Sequence, residues 1–149
     1  PERSEGDPLV SGVFPPERLV EMAAEADDLV VALPLTPATR GLVAREAIAA
    51  MKPTGVLVNV GRGPVVDEAA LVLALEDGRL RGAALDVFET EPLPAGHAFW
   101  RLPNVLLSPH CADHVPGWVD EAMRVFLRQL ERFRRGEPLR DPVDKSAGY

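Results

Sequence analysis

The chain reads as an α/β protein built on a parallel sheet flanked by helices. Three features of its 149 residues carry that reading. Apolar, strand-like runs recur at residues 29–33, 56–60, 83–88 and 105–107, alternating with helical patterns across short connections. The first run, Leu29-Val-Val-Ala-Leu33, contains no polar residue, as expected of a strand buried on both faces. Chemically capable side chains stand just past three of the runs: Arg62, Glu91 and His110. In an open parallel sheet the ligand crevice lies outside the carboxyl ends of the strands, so residues displayed there converge on one site.

Taken in order, residues 1–12 are polar with Pro and Gly, and Pro15-Pro16 precede a helical pattern with Leu19, Ala23 and Ala26 on one face. Thr36-Pro37 opens a turn, and Arg45 to Met51 predicts a short helix stopped by Pro53 and Gly55. Asp67 is the expected N-cap of a helix reaching Glu76, with Leu71, Ala74 and Leu75 inward and Gly78 at its stop. The last helix, about Pro116 to Arg135, repeats Val119, Ala122, Met123, Phe126, Leu130 and Phe133 at offsets of three, four and seven. Residues 1–135 are expected to form the folded domain, and 136–149 a polar, irregular tail.

A chain of this length can bury roughly 70% of its unfolded surface, enough for a real core. A formal net charge of -7 speaks against non-specific nucleic-acid binding, which needs a surplus of Lys and Arg. Any anionic ligand must therefore be held by local cations. Cys111 stands alone, which excludes an internal disulfide framework, supports no metal site and fits a reducing compartment. No apolar run approaches the ~18 residues of a membrane span, so the expectation is a cytoplasmic protein acting without a membrane partner.

The chemistry lies at the strand ends. Arg62, in Asn59-Val-Gly-Arg-Gly-Pro64, offers a planar fork of donors matched to a carboxylate, and its flanking glycines permit a sharp turn. Taken alone, a solvated turn arginine is an equal reading. Gly61-x-Gly63 is a poor match to a dinucleotide turn, because Val66 occupies the place of the third glycine and Pro64 removes an amide donor. Histidine can give a proton to a carbonyl oxygen and take it back from an alcohol, which makes His110 a candidate acid and base. A carboxylate beside an imidazole fixes its tautomer and favours the charged form, the role available to Glu91. Asp86 suits either strand-end amides or an amide on a ligand, and Thr36 either a turn cap or a cofactor contact. His97 and His114 lack strand-end placement and read as surface or rim residues, and Cys111 as bystander packing.

Taken together, Leu33-Pro-Leu-Thr-Pro-Ala-Thr-Arg-Gly41, Val58-Asn-Val-Gly-Arg-Gly-Pro-Val-Val-Asp67, Ala84-Leu-Asp-Val-Phe-Glu-Thr-Glu-Pro-Leu93 and Asn104-Val-Leu-Leu-Ser-Pro-His110 closely resemble the D-isomer-specific 2-hydroxyacid dehydrogenases. The likeness runs from about Glu17 to Tyr149, and glyoxylate and hydroxypyruvate reductases are the branch it most suggests. The resemblance implies a partial Rossmann-like sheet and NAD or NADP as cofactor. It implies a small 2-oxo or 2-hydroxy acid as substrate and a homodimer in the complete protein. It also implies roles: Arg62 on the substrate carboxylate, His110 as acid and base, Glu91 as its partner, and Asp86 on the nicotinamide carboxamide. Pro34, Thr36, Val60 and Gly61 join Arg62, Asp86 and His110 as expected cofactor contacts.

Two family features are absent from these residues, the Gly-x-Gly-x-x-Gly turn that cradles the pyrophosphate and the separate substrate domain. By the resemblance the chain is the later part of a dinucleotide-binding domain, lacking the first two strands, with a short edge strand near Leu9–Phe14. Such a fragment is expected to be inactive alone, and the residues that choose between NAD and NADP are only grazed at Arg3. The competing expectation is a non-catalytic interaction or dimerisation module derived from the same family.

Overall fold

A computed structural model describes residues 9–145; Arg3 and residues 146–149 lie outside the described residues. The chain divides into two compact units, Pro1–Pro109 and His110–Tyr149.

The first unit carries four strands, β1 (Asp28–Val31), β2 (Val56–Asn59), β3 (Gly82–Leu85) and β4 (Val105–Leu107), all parallel and in the sheet order β1-β2-β3-β4. Helices α1 (Leu19–Glu25), α2 (Arg45–Ala50) and α3 (Glu68–Glu76) fall between or before them. Asp67 caps α3 as its sequence requires, its carboxylate accepting the Ala70 N–H at 2.9 Å. Gly78 takes a left-handed φ of 65° just past the helix end.

Register decides which side chains meet. Leu29, Leu57, Ala83 and Val105 form one row, and Val31, Asn59, Leu85 and Leu107 the next on the same face. That face joins Ala23, Ala47, Ile48, Leu71, Ala74 and Leu75 in the core. The opposite face presents Val30, Val58, Ala84 and Leu106, of which Val30 is 62% and Leu106 71% exposed.

Two expectations are corrected here. β1 alternates exposed and buried positions instead of being covered on both faces, because α1, α2 and α3 pack on one face of the sheet. Leu9–Phe14 forms no strand, since no described strand lies beside it to complete a ladder. The free side of β1 instead borders a hollow of 380 Å³ lined by Phe14, Leu19, Met22, Val30 and Leu33.

In the second unit, α4 (Trp118–Arg134) starts after a left-handed Gly117 and ends before a left-handed Gly136. Its apolar stripe of Val119, Met123, Phe126, Leu130 and Phe133 is exposed along its length. The irregular tail folds back on it: the Gln129 side-chain amide exchanges two hydrogen bonds with the Arg140 backbone, and Arg132 Nε donates to the Pro138 carbonyl at 2.7 Å. No helix among the described residues is long and apolar enough to cross a membrane.

Candidate active site at the carboxyl ends of the strands

The ladder runs one step past each strand. Val60 N–H donates to the Val31 carbonyl, Asp86 N–H to that of Asn59, and Ser108 N–H to that of Leu85, each at 3.0 Å. Backbone bonding therefore aligns Val60, Asp86 and Ser108 along the carboxyl edge of the sheet before any side chain acts.

The turn after β2 is built by a buried amide. Asn59, 1% exposed, accepts the Gly61 N–H at 3.0 Å through Oδ1 and donates from Nδ2 to the Arg62 carbonyl at 3.2 Å. Both polar atoms are spent on shaping the turn, which is how the interior tolerates them. Gly61 is required because a Cβ there would lie 2.7 Å from the Leu33 carbonyl oxygen. Gly63 is required more severely, since a Cβ would fall 1.9 Å from the Phe88 carbonyl carbon. The turn is thus wedged between the loop after β1 and the loop after β3, with Arg62 exposed between the two glycines. One guanidinium nitrogen, Nη1, donates to the Gly61 carbonyl at 2.8 Å. The other donors of the fork remain available to a planar anion.

On the neighbouring strand Asp86 is buried at 4% exposure, and its Oδ1 accepts the Ser108 hydroxyl. After β1, Thr36 is also buried, and Thr39 organises its loop: Thr39 Oγ1 donates to the Pro34 carbonyl at 2.6 Å and accepts the Thr36 N–H at 2.8 Å. After β3, the loop carries Glu91, whose Oε1 accepts the Phe88 N–H at 3.0 Å and whose peptide to Pro92 is cis. Within the first unit, Pro34, Thr36, Val60, Gly61, Arg62, Asp86 and Glu91 all follow the carboxyl ends of three adjacent strands. His110 opens the second unit, three residues after Leu107, exposed and at a left-handed φ of 52° that β-carbon-bearing residues seldom adopt.

His97 makes contacts that its sequence position does not announce. It is half-buried: its side chain is 26% exposed, its Nδ1 accepts the Phe99 N–H at 3.3 Å, and its Nε2 lies 3.6 Å from Glu68 Oε2. Glu68 in turn accepts the Glu89 N–H. Burial raises the Glu68 carboxyl above its ordinary range, as do the nearby Glu89 and Glu91 carboxylates, while the Glu89 N–H and His97 oppose the shift. His114 is exposed and stacked on Trp118 at 6.1 Å.

Asn59, Thr39, Ser108 and Glu68 were not among the residues singled out from sequence, and His97 was given no role in the site. For Asn59 a signal existed, a lone amide at the end of an apolar run, where only local backbone bonding can satisfy it. No group of three or more His, Cys, Asp or Glu placed to hold a metal ion occurs among the described residues.

The donor set suits the nicotinamide end of a dinucleotide. A buried carboxylate at Asp86 can accept from a carboxamide, and Val60 offers an exposed apolar side chain beside it. The pyrophosphate turn is not among these residues.

Residues 3–112 match the model of the D-isomer specific 2-hydroxyacid dehydrogenase NAD binding domain. The chain is 51% identical over 89 residues to glyoxylate/hydroxypyruvate reductase B of Serratia proteamaculans, covering 60% of this chain and 27% of that protein. It superposes at a TM-score of 0.82, with 44% identity, on a D-isomer specific 2-hydroxyacid dehydrogenase from Xanthobacter autotrophicus solved with NADPH and MES. That match covers 89% of this chain and 54% of the other. An NADPH-dependent glyoxylate/hydroxypyruvate reductase from Sinorhizobium meliloti, solved with NADP and malonate, matches at a TM-score of 0.76 and 41% identity, over 84% of this chain and 39% of its own. The chain thus spans about half or less of the length of these relatives. With the parallel sheet, the glycine-flanked arginine turn and the matched domain in agreement, the chain belongs to the D-isomer-specific 2-hydroxyacid dehydrogenases and carries sequence of their NAD(P)-binding domain.

Proposed function

We propose that the complete protein reduces a small 2-oxo acid, glyoxylate or hydroxypyruvate in class, to the D-2-hydroxy acid, and that this chain supplies the reacting groups. The observation that carries the reading is the Arg62 turn. A buried amide and two sterically required glycines hold an exposed guanidinium at the sheet edge, next to the strand that ends in buried Asp86.

In this reading Arg62 receives the substrate carboxylate through paired N–H donors and polarises the adjacent carbonyl. Asp86, with Val60 and the Pro34–Thr36 and Gly61 backbone, holds the nicotinamide end in register with that carbonyl. When bound, the nicotinamide supplies the hydride. His110 gives a proton to the carbonyl oxygen and recovers one from the alcohol in reverse, and Glu91 is its partner, orienting the imidazole. A homodimer in the cytoplasm completes the reading, the single Cys111 being suited to a reducing compartment.

The test is steady-state kinetics of the complete protein with glyoxylate and hydroxypyruvate, using NADH and NADPH in turn. Arg62→Lys is expected to lower kcat/KM by roughly 10- to 100-fold with a raised KM, because a point charge cannot reproduce bidentate recognition. His110→Gln is expected to lower kcat by roughly 10²- to 10⁴-fold while cofactor binding persists. Unchanged constants in both variants would sink the assignment.

A further inference from the structure

The loop that carries Glu91 is gripped from outside itself. Segment 61–68, running from the arginine turn into α3, holds this loop at both sides of one peptide unit: Gly63 abuts the Phe88 carbonyl, and Glu68 accepts the N–H of the same peptide, that of Glu89. Glu91 closes the same loop from its other end by accepting the Phe88 N–H at 3.0 Å. Behind Glu68 stands His97. Its Nδ1 is occupied as an acceptor from Phe99 N–H, so the ring proton of the neutral form resides on Nε2, the nitrogen facing Glu68 Oε2 at 3.6 Å. The Glu68 side chain is only 12% exposed, and a carboxylate is costly to bury without such partners.

We propose that Glu68, backed by His97, is a positioning residue that holds the Phe88–Glu91 loop and so sets the direction in which Glu91 is presented. Glu68 touches neither substrate nor cofactor. It acts through the Glu89 peptide, and its catalytic consequence rests on the functional reading above, in which Glu91 orients the acid-base histidine. Helix α3 thereby links the two halves of the chemistry. Its N-terminal approach displays Arg62, and its first residue restrains the loop of Glu91.

The chemistry separates an oxygen acceptor from a charge. Gln at position 68 retains an oxygen for the Glu89 N–H, whereas Ala removes it. Hydrogen exchange followed by mass spectrometry on the complete protein should show Glu68→Ala speeding exchange about tenfold in the peptide spanning Phe88 to Glu91, with α3 itself unchanged, and Glu68→Gln restoring the parental rate. His97→Asn, which keeps a short acceptor for Phe99 N–H but loses the reach to Glu68, should speed the same peptide by a few-fold. In turnover, Glu68→Ala should lower kcat about tenfold with KM within twofold of the parent, and Glu68→Gln should recover it.

Unchanged exchange at residues 88–91 in Glu68→Ala overturns the proposal. So does exchange that rises equally throughout α3, which would make Glu68 a helix-stabilising residue and nothing more. A parent protein that fails to reduce any 2-oxo acid, while the loop still loosens in Glu68→Ala and tightens in Glu68→Gln, sinks the oxidoreductase reading and supports the tether.

Discussion

Among single residues, Glu68 carries a pH dependence whose sign follows from its surroundings. Its carboxyl is raised above the ordinary value of 4.5, first by burial, so the folded chain binds that proton more readily than the unfolded one. A group of this kind adds stability where it is protonated. The contribution is fully present below 4.5 and is lost as pH rises through the elevated folded value. Glu68→Gln abolishes the titration while keeping an oxygen for the Glu89 N–H. Denaturant unfolding from acid to neutral pH should therefore show the Gln variant gaining on the parent as pH climbs above that range. A constant difference between the two would mean that Glu68 does not titrate differently in the folded state. Asn59 illustrates the contrasting case of a buried polar residue that cannot titrate, whose two turn bonds leave no pH signature at all.

At the level of elements, the arginine turn and the Phe88–Glu91 loop behave as one packed piece because Gly63 leaves no room between them. Gly63→Ala places a carbon 1.9 Å from the Phe88 carbonyl carbon, backbone that cannot rotate aside. Overpacking of this kind typically costs 1–3 kcal/mol, and the backbone contact puts this variant near or beyond about 3 kcal/mol. A fall in unfolding midpoint of several degrees is expected by thermal denaturation, and an unchanged midpoint would mean that the loop yields freely. How much of this was legible from sequence follows from what each residue signals. Strands and the α3 cap were readable because apolar runs and an Asp before Glu68-Ala-Ala report local backbone preference. Glu91 and Arg62 were readable from their position after those runs. The Glu68–Glu89 and His97–Glu68 contacts were not, since they join residues about 20 to 30 apart whose types are ordinary surface types. The exposure of Val30 was equally hidden, because an apolar strand residue does not say which layer covers it.

Over the whole molecule, the residues proposed for the nicotinamide end of a dinucleotide are present in this sequence, whereas a Gly-x-Gly-x-x-Gly turn for the pyrophosphate is not among them. The 149 residues by themselves are therefore expected to bind NADH with a dissociation constant weaker than about 1 mM, because most affinity for such a ligand resides in backbone donors to the pyrophosphate. Calorimetric titration giving a micromolar constant would refute this. Among the described residues, Val30 and Leu106 on the sheet and the apolar stripe of α4 stand exposed to solvent. The close approach of Gly63 to Phe88, finally, bears on how the two loops move. The expected outcome is that relaxation dispersion on the complete protein finds Arg62 and the Phe88–Glu91 loop exchanging with one common rate constant, and two clearly different constants would mean that the contact does not couple them. On the function proposed above, the substrate-binding guanidinium and the carboxylate paired with the acid-base histidine are then held by one packed backbone contact.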